Sequence, residues 1–131
     1  MIPYEQLITN LRKEADVLFA PMDFDVKNKS NMELCFPSKL TDYTVMGLPI
    51  LIWGAEYCST VKWAKDNPKV AEIVDTEDLD ALFIAVEKLC SSSEYRYLLG
   101  LNALQTGNKY FDCNNVVRHF YQSIALNYIQ R

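Results

Sequence analysis

The chain has 131 residues, 50% of them hydrophobic and 23% charged, and carries a formal net charge of -4. That length supports one domain with its own core, and the balance excludes both a disordered chain and two substantial domains. With no basic run, the chain is not built to track a nucleic-acid backbone, although a small anionic ligand needs only local donors.

Pro3 opens a first helix expected to reach about Glu14, with Tyr4, Leu7, Ile8 and Leu11 on its apolar face. DVLFAP, halted by Pro21, reads as a short buried strand. MDFDVKNKSNMELC is polar and without clean period, so a long loop is expected there. Pro37 then opens a helix that Gly47 closes. PILIWG follows as a continuous apolar strand, the pattern of a sheet covered on both faces. CSTVKWAKDNP reads as a helix ended at Asn67-Pro68, and KVAEIVD as a third strand.

Beyond Thr76 the pattern is helical throughout. Thr76 is expected to cap a helix whose stripe is Leu79, Leu82, Phe83, Val86 and Leu89. Ser91 and Glu94 have capping-box spacing before a helix bearing Tyr97, Leu98, Leu101 and Leu104. Asn114 starts a last helix with Val116, Phe120 and Ile124 on its stripe. Alternation of helix and strand implies parallel strands joined by right-handed crossovers. The expected fold is therefore α/β, a three-layer, Rossmann-like parallel sheet that is partial, with about three strands and a helical C-terminal tail. Residues 1–131 read as one partial domain.

Cys35, Cys58, Cys90 and Cys113 form no Cys-x-x-Cys pair, and His119 is the sole histidine. No metal site is expected, and the thiols read as reduced and buried or half-buried. Nothing in the spacing pairs His119 with a thiol, as a cysteine hydrolase would need. MIPYEQLITN lacks the basic start and apolar run of a signal peptide, and LPILIW is too short to cross a bilayer. The expected location is cytoplasmic, with attachment to a membrane surface left open. Trp53, Trp63 and Tyr43 read as core residues rather than sugar platforms.

The helix opening on Pro37-Ser38-Lys39 is the candidate site. In open α/β sheets ligands sit beyond the carboxyl ends of the strands, against helix amino ends. The first amides of this helix, near Ser38 and Lys39, lack intrahelical acceptors and lie at the positive end of its dipole. A diphosphate would satisfy them, and Lys39 would add charge. Ser38 and Asp42, four residues apart, share one side of the helix, while Leu40 turns toward the sheet. The Asp42 carboxylate can accept both hydroxyl hydrogens of a ribose.

The whole chain resembles the carboxyl-terminal portion of a GT-B-fold, retaining, "group 1" glycosyltransferase. The resemblance is carried by ADVLFAPMDFD, FPSKLTDYTVMGLPIL, AEIVDTEDLDALFIAVEKL and the tail ending YFDCNNVVRHFYQSI. It implies a domain that binds a nucleoside-diphosphate sugar as donor substrate, with no other cofactor. The residue matching Asp42 would contact the ribose, and amides at Ser38, Lys39 and Leu40 the diphosphate. Backbone at Ile2 would lie against the base. The family commonly has glutamate at the Asp42 position. It places a second acidic residue, which contacts the donor sugar, eight positions earlier, where this chain has Leu34. Glu33, Asp23 and Asp25 are the nearest candidates, and the catalytic residues stay unassigned.

The resemblance further implies that the first strands of this domain and the whole amino-terminal, acceptor-binding domain are not part of this chain. The chain alone is then expected to lack turnover, and either to self-associate as a homodimer through its exposed sheet or to be a piece of a longer protein. The competing expectation is a non-catalytic α/β binding or regulatory module.

Overall fold

A computed structural model describes residues 3–129. Among them the order is α1 (Tyr4–Glu14), β1 (Leu18–Pro21), α2 (Lys29–Leu34), α3 (Ser38–Met46), β2 (Ile50–Trp53), α4 (Ser59–Asp66), β3 (Glu72–Val74), α5 (Leu79–Ser91), α6 (Ser93–Phe111) and α7 (Cys113–Ile129). The sheet is parallel in the order β1-β2-β3, with Phe19 level with Leu51, and Ile52 with Ile73. The chain is mixed α/β, with a small three-strand parallel sheet and a helical C-terminal part.

β2 is the most buried strand because both its faces are covered. Ile50 and Ile52 join Leu40 and Met46 of α3, Val61 and Ala64 of α4 and Ala103 of α6 in one core, against which Ile8 and Leu11 of α1 pack. Leu51 points the other way, to a smaller core with Val74, Ala85, Leu89 and Leu99. Alternate side chains of one strand thus feed two layers. α6 lies across the amino end of the sheet and contributes to both cores.

Two devices hold α3 in place. Gly47 ends it in the left-handed conformation, φ 68°, and Arg12 of α1 donates to the freed carbonyls of Met46 (3.0 Å) and Val45 (2.6 Å). On its flank, α6 presents Gly100, Ala103 and Gly107, all buried. A Cβ at Gly100 would overlap the Gly47 carbonyl oxygen, and one at Gly107 would lie 2.5 Å from Thr44 Oγ1. Absence of side chains at these two positions is what lets the helix backbones approach.

The β1 edge explains Pro21. The amides of Leu18 and Met22 donate to Pro49 (2.9 Å) and Trp53 (2.7 Å) of the β2 side, so Phe19 and Pro21 face away from β2. Proline, which has no N–H, is tolerated there.

Several sequence expectations need correction. The expected loop after β1 contains a 3-10 turn, Val26–Asn28, and α2. Asp78, not Thr76, caps α5, accepting from the Asp80 amide at 2.9 Å. Ser92, not Ser91, caps α6, accepting from the Tyr95 amide at 3.1 Å, because α5 runs on through Ser91. Asp112 accepts from the Asn115 amide at 2.9 Å, and α7 begins at Cys113 rather than Asn114. The α5 stripe is only half used: Leu89 is buried, whereas Leu79 and Phe83 are 71% and 62% exposed. Of the thiols only Cys58 is buried, and Cys35, Cys90 and Cys113 are exposed.

Candidate functional site

The carboxyl ends of the three strands open onto the loops 22–25, 54–58 and 75–78, and the amino ends of α3 and α4 lie at the same end of the sheet. Gly54 allows the first two loops to touch, since a Cβ there would overlap Met22. Above them, the Phe24 and Trp53 rings pack at 5.4 Å. The Trp53 indole donates to the Thr76 carbonyl at 2.9 Å, and the Tyr57 hydroxyl to the Phe24 carbonyl at 3.0 Å. The three loops are thereby tied into one roof. Burial raises the pKa of Tyr57 and of the Cys58 thiol, which faces the Asp23 carbonyl.

Ser38 and Lys39 begin α3 and are both exposed, and among the described residues no side chain caps the amino end of this helix. The Leu40 side chain is 1% exposed and anchors the helix to the sheet. Its amide donates to the Pro37 carbonyl at 3.0 Å, so the outward amides are those of Ser38 and Lys39. Ser59 of α4 donates to the Cys35 carbonyl at 2.7 Å and pins the segment entering α3. Asp42 lies half-buried one turn into α3 and is engaged within the chain.

The earlier carboxylates have local roles. Asp23 accepts from the Asp25 amide (2.8 Å) and the Asn28 side chain (2.5 Å), and the amide bond, with the Asn28 contact after it, lowers its pKa. Asp25 caps the 3-10 turn through the Lys27 amide at 2.9 Å. Glu33 of α2 sits between Lys62 (3.7 Å) and Lys29 (4.0 Å). Ile2 lies outside the described residues.

Sequence reasoning missed α2 and the Phe24–Trp53–Tyr57 roof. The Asp25-Val-Lys-Asn28 turn chemistry was the available signal for the first, since Asp and Asn side chains fold back on nearby amides. The roof joins residues far apart in the chain and has no local pattern. Among the described residues no group of three or more His, Cys, Asp or Glu side chains is placed to hold a metal ion, and no helix is long and apolar enough to cross a membrane. The chain matches no protein-family model, no curated protein and no solved structure.

Proposed function

We propose that this chain is the donor-binding part of a glycosyltransferase of the GT-B type, holding a nucleoside-diphosphate sugar at the amino end of α3. The observation that supports this reading most directly is that uncapped amino end, at the carboxyl edge of a parallel sheet, with Ser38 and Lys39 exposed and Leu40 anchored below. In this reading the diphosphate accepts from the Ser38 and Lys39 amides, and the Lys39 ammonium adds a charge-assisted contact. Asp42 accepts from the ribose hydroxyls after exchanging its present partner. Glu33 is the candidate sugar contact, whereas Asp23 and Asp25 chiefly shape the turn beneath it. Transfer itself requires an acceptor surface facing this end of the sheet, so the chain alone binds without turnover.

Ligand-observed NMR with UDP-, GDP- and ADP-sugars tests the proposal. Binding of at least one is expected, weakened by about 1–3 kcal/mol in Asp42→Ala. No binding of any of them leaves the non-catalytic module as the better description, and equal binding after the substitution removes Asp42 from the site.

A further inference from the structure

Where α3, α4 and α6 converge, the rings of Phe36, Trp63 and Phe111 gather with centroids 5.6, 5.8 and 5.9 Å apart. Tyr110 extends this wall at 6.5 Å from Phe111. Together with Asp66 and Asn67 they line an open pocket of about 450 Å³. An aromatic cluster serving only as core would be buried, yet Phe36 and Tyr110 are 36% and 44% exposed and the other two rings are half-buried. Among the described residues the Trp63 indole N–H, the Tyr110 hydroxyl and the Asp66 carboxylate make no hydrogen bond within the chain. The Asn67 amide donates to the Trp63 carbonyl at 2.9 Å, which leaves its side-chain oxygen as an acceptor.

We infer that this pocket is a saccharide-binding subsite for a neutral pyranose ring. The aromatic faces meet the apolar C–H face of the sugar. Asp66 and Asn67 accept its hydroxyl protons, and the indole and the phenol donate to its oxygens. An apolar peptide segment is a worse occupant, because it would bury the Asp66 carboxylate without a partner. A phosphorylated ligand would meet that same negative charge. The volume exceeds one ring and admits a disaccharide. No residue of this pocket belongs to the proposed nucleotide cradle, so the two readings stand or fall separately.

The test is saturation-transfer difference NMR on the full chain with cellobiose, maltose and N,N′-diacetylchitobiose. Transfer to the C–H protons of at least one is expected at millimolar affinity. It should be weakened at least about fivefold in both Asp66→Ala and Tyr110→Ala and unchanged in Asp42→Ala. Both pocket residues are exposed, so circular dichroism should show the variants folded. No transfer to any of the three sugars, or equal transfer in the wild-type chain and both pocket variants, overturns the subsite. So does loss in Asp42→Ala alone, which would place the sugar at α3.

Discussion

Carboxylates that look alike in the sequence differ sharply in what surrounds them. Asp23 and Asp25 fold back on amides two residues ahead, as short acidic side chains do in turns, so both oxygens of Asp23 and one of Asp25 are already engaged. Asp75 instead reaches across to Lys65 of α4 at 2.7 Å, and that hydrogen bond lowers its pKa below the ordinary value of 3.8. The folded chain therefore binds this proton less readily than the unfolded one. The resulting stability is fully present above the unfolded value and is lost as pH falls through the lowered folded value. Both side chains are partly exposed, which holds the contribution below about 1 kcal/mol. Urea unfolding at about pH 6 and about pH 3 should show a smaller acid-induced loss in Asp75→Asn than in the wild-type chain. An identical loss would remove Asp75 from the acid response.

Helices were legible where periodicity was joined by an opening proline, as for α1 and α3, or by a stop signal, Gly47 for α3 and Asn67-Pro68 for α4. Six-residue α2 was not, because a helix of that length shows barely two turns of pattern and its residues are mostly polar. The end positions of α5 and α6 slipped by one or two residues because Thr76, Asp78, Ser91 and Ser92 are all competent caps, and packing chooses among them. What α6 contributes to α3 rests on small residues rather than large ones. Gly107→Ala places a methyl group against Thr44 and should destabilise the chain by about 1–3 kcal/mol, read from the urea midpoint. Asn108→Ala, one position round on the exposed side, should leave the midpoint nearly unchanged.

On the scale of the whole molecule, three strands give two unequal layers. One face of the sheet lies under α1, α3, α4 and α6, and the other under α5 and the amino-terminal part of α6. Beside α5, Val17, Phe19, Leu51, Leu82 and Val86 line an apolar groove of about 310 Å³, and the nearby Phe83 is 62% exposed. Strand addition at β1 is limited by Pro21, so association between copies is expected to run through this groove and the α5 surface. Sedimentation should show concentration-dependent association of the wild-type chain that Phe83→Asp weakens. A monomer at all concentrations would show that the groove stays solvated.

The sequence by itself determined the alternation of helix and strand and the start of α3, which depend on spacing within a few residues, and through that alternation the parallel sense of the sheet. It also marked Leu40 as inward and Ser38 as outward, a consequence of helical period alone. Only the tertiary structure decided which half of the α5 stripe is covered and which carboxylates are already bonded. The Phe36–Trp63–Phe111 cluster likewise emerged only there. Those outcomes depend on residues brought together from distant parts of the chain, whose packing no local pattern encodes.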